Sequence, residues 1–204
     1  MKTIRSLSTG VAGCAALTGA LAMGAALPAG AANPNVKVFE YVHVTTTIAK
    51  ENQTVIVPRG TLTGKLNART GALTATLALP PASSPVQLAG IGLATATFQT
   101  VPTKAVKGRV DFKKGTISTS STFNIHIISV TPVGTSLNLV GNNCITTQAI
   151  KLALTGKFVL VGPSTFSTTY TIPPFQNCGL ITVAVNQLVP GPGNAFNATF
   201  SPFG

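Results

Sequence analysis

The chain has 204 residues, 45% of them hydrophobic and only 8% charged. Soluble domains carry about 25% charged residues, and disordered chains are poor in Val, Ile and Leu. This composition therefore excludes disorder and calls for a surface built from Thr, Ser, Asn and Gln. Fourteen Lys and Arg against three acids give a net charge of +11. The acids are Glu40, Glu51 and Asp111, none close in sequence, so no glycosidase-type carboxylate pair can be argued.

The chain opens with MKTIRSLSTG, in which Lys2 and Arg5 are the only charges. An uncharged run follows from Val11 to Leu27, then Pro28 and the small residues Ala29-Gly30-Ala31-Ala32. A basic start, a short apolar segment and small residues describe a secretory signal peptide over 1–32, cut after Ala31 or Ala32. A membrane anchor would need about 20 strongly apolar residues, and this run is mostly Ala and Gly. Val11-Ala12-Gly13-Cys14 resembles a lipobox, but nearly all of the apolar segment lies after Cys14. Cys14 is therefore read as part of the signal, with lipid anchoring as the alternative. The expected location is secreted, either extracellular or associated with the cell envelope. Loss of Lys2 and Arg5 lowers the charge from +11 to +9.

Beyond the signal, strand patterns dominate. Val36–Ile48 is rich in Val, Thr, Phe and Tyr. Ala72–Leu79 alternates with period two and ends at Pro80-Pro81. Along Thr116–Val130, Ile117, Phe123, Ile125 and Ile127 share one face, while Ser118, Ser120, Thr122, Asn124 and His126 share the other. Ile150, Leu152 and Leu154 alternate, as do Phe166, Thr168, Tyr170 and Ile172. Such alternation buries one face and wets the other, as in antiparallel sheets. NARTG (67–71), FKKG (112–115) and VGPS (161–164) mark turns. No amphipathic helix is expected after the signal, and Phe196, Phe200 and Phe203 are expected to close the core on a last strand. The fold class is all-β, antiparallel and sandwich-like. No transmembrane helix is expected in the mature protein. An outer-envelope β-barrel is disfavoured, because zero Trp and two Tyr leave no aromatic girdle.

Two segments match in order. LTGKLNARTGALTATLALPP begins at Leu62 and LTGKFVLVGPSTFSTTYTIPP at Leu154. Upstream, Val42-His43-Val44 resembles Ile125-His126-Ile127. The expectation is an internal duplication, with β-rich halves over 33–115 and 116–204 whose apolar faces pack together. The mature chain has two cysteines, Cys144 and Cys178, and an even pair in an exported protein reads as a disulfide. Neither they nor the distant His43 and His126 have zinc-ligand spacing. No metal or cofactor is expected, and no catalytic residue can be assigned: there is no GxSxG elbow, and pairing uses up the thiols.

The clearest charged feature is Lys104, Lys107, Arg109, Lys113 and Lys114. From Lys107 to Lys113 every second residue is charged, which on a strand puts the charges on one face and Val110 and Phe112 inward. This is a candidate anion-binding strip for anionic envelope polymers or lipid headgroups. Its plain alternative is a solvated face, partly neutralised by Asp111. Nucleic acid is not expected, since the compartment is wrong and Phe112, the one aromatic among the cations, is read as inward.

Late in the chain, TIPPFQNCG and LVPGPGN resemble a pattern in small exported proteins of high-GC Gram-positive bacteria. The resemblance implies export and a β fold, and it carries no active-site residue. The resulting expectation is a non-enzymatic binding or structural protein of the envelope. The alternatives are a carrier that holds an apolar ligand such as a lipid between sheets, and a hydrolase whose acids and histidines converge in one cleft.

Overall fold

The computed structural model describes residues 34–88, 92–159 and 162–202. The expected signal peptide, Cys14 and Phe203 lie outside them. The strands are β1 (Asn35–Ile48), β2 (Gln53–Asn67), β3 (Ala72–Ala78), β4 (Ala82–Leu88), β5 (Gly92–Asp111) and β6 (Thr116–Pro132). They continue with β7 (Ile145–Thr146), β8 (Ile150–Lys157), β9 (Ser164–Ile172), β10 (Phe175–Gln176) and β11 (Gly191–Pro202). A 3-10 turn at Gly179–Ile181 leads into helix α1 (Thr182–Leu188).

All strands belong to one sheet, in the order β10-β7-β6-β5-β3-β2-β1-β11-β9, with β4 added on β5 and β8 on β6. Every pairing is antiparallel. The sheet curls until β9, at one end of the order, lies against β8. There a Cβ on Gly156 would come within 2.9 Å of the Phe166 ring. Leu62, Leu73, Val106, Ile117, Leu154 and Phe166, from six different strands, surround a single small internal void. The expected all-β antiparallel class is what forms. The two layers of the sandwich-like reading are opposite walls of one curled sheet, because every strand is hydrogen-bonded to at least one neighbour within it. Both expected halves feed this sheet, and the boundary at 115/116 falls in the turn of the long β5–β6 hairpin. The described residues cluster as one compact unit.

The period-two pattern decides what is inside. Val42, Val44, Leu73, Ala75, Phe123, Ile125, Ile127, Ile150, Leu152, Phe166, Tyr170 and Phe196 are all buried. Burying an aliphatic or aromatic side chain of this kind contributes about 1.5–3 kcal/mol. The Cys144–Cys178 disulfide forms, with both sulfurs fully buried. It ties the segment before β7 to the start of the 3-10 turn.

Two expectations fail. TVAVNQL is helical, not extended. Asn186 holds this helix to β10, its Oδ1 accepting from Phe175 N at 2.7 Å and its Nδ2 donating to Phe175 O at 2.9 Å. Only Val185 of α1 is buried, so two turns carry no amphipathic stripe to read. Phe112 does not point inward and is 45% exposed, because β5 stops at Asp111 and the chain turns. The last strand does close the core, with Phe196 buried and Phe200 packed against it. No helix among the described residues is long and apolar enough to cross a membrane.

Candidate functional site: a basic rim around an apolar mouth

The turns at one end of the curled sheet set the site. In the β2–β3 turn, Asn67 Oδ1 accepts from Arg69 N at 3.0 Å and Thr70 N at 2.9 Å. In the β5–β6 turn, Asp111 Oδ1 accepts from Lys113 N at 3.0 Å and Lys114 N at 3.1 Å. Short Asx side chains hold such turns by mimicking a backbone acceptor. Both turns then close on a glycine with positive φ, Gly71 at 72° and Gly115 at 62°. Each therefore presents a cation two residues after its Asx, Arg69 in one and Lys113 in the other. Val110 N donates to Gly71 O at 2.8 Å, which fixes the turns side by side. Between them lies an open depression lined by Arg69, Arg109, Lys113, Thr70, Ser118 and Thr155.

Strand register extends this charge around the outer surface. Lys37 faces Lys65, Lys65 faces Thr74, Thr74 faces Lys107, and Lys107 faces Ser120. The row crosses five strands, and all three lysines are exposed. Like charges directly opposite each other destabilise a strand pair by a few tenths of a kcal/mol or more, so the Lys37–Lys65 juxtaposition costs the fold. Lys157 ends β8 at the same end of the sheet, opposite Thr116.

The strip read from the sequence is thus only part of the feature. Arg109 and Lys113 line the depression, Lys114 shares the turn of Lys113, and Lys107 lies along the same face of β5 as Arg109. Lys104 is set apart by the irregular register between Lys104 and Lys107. It lines a lateral gap where residues 99–105 of β5 meet neither β3 nor β4. Lys37, Lys65 and Arg69 were missed, because only pairing between distant segments brings them here. Asp111 serves chiefly as the acceptor that shapes its turn.

Inside the rim, the same end of the curled sheet opens into a largely apolar cavity of about 250 Å³. Val38, Leu62, Leu66, Phe158, Phe166 and Phe200 line its wall, with Lys37, Glu40 and Ser164 as polar neighbours. Ser164 Oγ accepts from Val159 N at 3.0 Å, which holds these two lining residues together. Burial holds the Glu40 carboxyl above the ordinary range, because losing water disfavours its charged form.

The other titratable groups are scattered. His126 pairs through Nε2 with Asn142 O at 3.0 Å, whereas His43 is exposed on β1 opposite Thr199. Glu40, Glu51 and Asp111 line three different cavities. Among the described residues no three His, Cys, Asp or Glu gather as a metal site. What the basic end offers chemically is charge and hydrogen-bond donors for an anion beside an apolar void. No family model, curated protein or solved structure matches this chain.

Proposed function

We propose that the protein acts outside the cell, after removal of residues 1–32, as a non-enzymatic binding protein whose basic end holds anionic polymers of the envelope. The observation that carries this reading is the gathering of Arg69, Arg109 and Lys113 around one depression by two matching turns. The Lys37–Lys65–Lys107 row supports it, since it places like charges together at a cost to stability. A surface built only for solubility gains nothing from such crowding. Several cations acting together on a polyanion give retention that falls with ionic strength as the charges are screened.

The test is chromatography on heparin and on immobilised teichoic acid across a salt series. The parent protein should elute at higher salt than a control protein of equal net charge. Arg109→Ser with Lys113→Ser should move elution to markedly lower salt, whereas Lys50→Ser with Arg59→Ser, the same loss of charge elsewhere, should move it little. Equal shifts for the two pairs would show that net charge alone governs retention and would end the proposal.

A further inference from the structure

The basic rim and the apolar mouth belong to the same end of the molecule, and that coincidence specifies a ligand more closely than charge alone. The cavity of about 250 Å³ is lined by residues of β1, β2, β3, β5, β6, β9 and β11, with Phe158 and Val159 just beyond β8. A second void of about 50 Å³ continues inward, sharing Leu62, Leu73, Ile117, Phe166 and Phe200 with the first. Apolar side chains dominate the lining of the combined space, with Lys37, Glu40, Ser164 and Thr119 as its polar members. Its size is near the lower end of ligand pockets, which run from about 300 Å³ upward. That suits one narrow chain and not a fused-ring or double-tailed molecule.

Val110 and Ile117, paired across β5 and β6, line both the mouth cavity and the depression that carries Arg69, Arg109 and Lys113. A ligand crossing that pair has hydrocarbon on one side and cations on the other. Glu40 fixes the direction. It is the acidic group lining the cavity, so a negative head seated beside it would meet a carboxylate of like charge. At the rim it would meet Lys37, Arg69 and Lys113 instead.

Resting on the reading that the basic end binds anions, we propose that the protein binds a single-chain anionic amphiphile, its tail in the mouth cavity and its phosphate or carboxylate head on Lys37, Arg69 and Lys113. Each methylene moved from water into the cavity contributes about 0.8 kcal/mol, so the tail supplies affinity. Charge-assisted hydrogen bonds at the rim select the head.

Native mass spectrometry and calorimetry on the signal-free chain test this with lauroyl lysophosphatidylglycerol and monolauroylglycerol, both below their micelle concentrations. The expected result is one lysophosphatidylglycerol per protein, with the uncharged ester about tenfold weaker or worse, the loss of one or two charge-assisted bonds. Val38→Trp, which fills the mouth, should abolish amphiphile binding yet leave heparin retention as in the parent. Lys37→Ser with Lys113→Ser, both exposed, should weaken the charged ligand and leave the uncharged one nearly as before. Equal binding of the two esters, uptake of several molecules per protein, or unaltered binding by Val38→Trp would each overturn the proposal. The comparison of esters stands even if the tryptophan variant does not fold. Loss of heparin retention in the parent, with stoichiometric lysophosphatidylglycerol binding intact, would remove the polymer reading alone.

Discussion

A buried hydroxyl chain clips three strands together, and its hydrogens can be counted. Thr46 of β1 donates through Oγ to Ala195 O of β11 at 2.9 Å. A hydroxyl has one hydrogen, so the 2.8 Å contact between Thr46 Oγ and Tyr170 Oη of β9 must be donated by the tyrosine. Burial pushes the Tyr170 phenol up, keeping it protonated for that role. Tyr170→Phe removes a donor and strands none, so it should cost about 1 kcal/mol, the net worth of one neutral hydrogen bond. Thr46→Val keeps the shape but leaves the Tyr170 hydroxyl without its acceptor, while the Ala195 carbonyl keeps its place in the ladder. An orphaned buried polar group costs about 1–3 kcal/mol, so this variant should be the worse one. The double variant removes the orphaned hydroxyl as well and should cost less than the sum of the singles, with a coupling of about 1–2 kcal/mol. Urea denaturation with an unchanged m-value provides the free energies. Additive costs, or a Tyr170→Phe variant worse than Thr46→Val, would refute the donor assignment.

Three further outcomes follow from the same structure. The Cys144–Cys178 bridge spans 34 positions, for which loop entropy gives about 4 kcal/mol. Reduction should therefore lower the urea midpoint sharply, with two thiols titrating only after reduction; an unchanged midpoint would mean the bridge does not constrain the unfolded chain. Gly64→Ala should cost about 1–3 kcal/mol by overpacking, since its Cβ would press on Thr74 O and lie 2.6 Å from Ala75 Cα, both backbone. Gly156→Ala meets only the Phe166 ring, at 2.9 Å, which can tilt, so thermal melts should show the smaller loss there. Glu40 has its folded pKa raised above 4.5 by burial, so the native state binds the extra proton. Stability should fall as pH rises from about 4.5 through that raised pKa. Glu40→Gln should be more stable than the parent near neutral pH and should lose this slope; an identical pH–stability profile in both proteins would contradict it.

Much of the fold was legible because alternation survives into the structure residue by residue. Phe123, Ile125 and Ile127 are inward, and His126 is on the outer face, as period two requires. Strands that carry Pro58, Pro85 and Pro102 were not legible, since proline argues against a central strand. Pro85 is accommodated because β4 hangs from β5 on one side only. Along β5, the alternation of Lys107 and Arg109 gave the local strip. Nothing local could reveal that Arg69 would stand beside Lys113, because β3 pairs with β5 and skips β4. Phe112 was misplaced for a related reason: Asp111 looked like one more charge on a strand, whereas its side chain ends the strand by taking two backbone N–H groups.

The LTGK repeat bears on the basic end in a way its sequence does not state. In both copies the leucine, Leu62 or Leu154, is buried, the glycine lies close under a neighbouring strand, and the threonine and lysine face outward. Both copies end at the mouth, so one delivers Lys65 and the other Lys157 to the rim. The glycine and leucine are explained by packing, since a Cβ does not fit at Gly64 and the leucines fill the core. The lysine is explained by neither. It is exposed in both copies, and at Lys65 it sits directly opposite Lys37, where a serine or threonine would satisfy the sheet better. A motif whose inward half is fixed by packing, and whose outward half brings Lys65 and Lys157 to the open end of the curled sheet, fits the proposal that this end holds an anion.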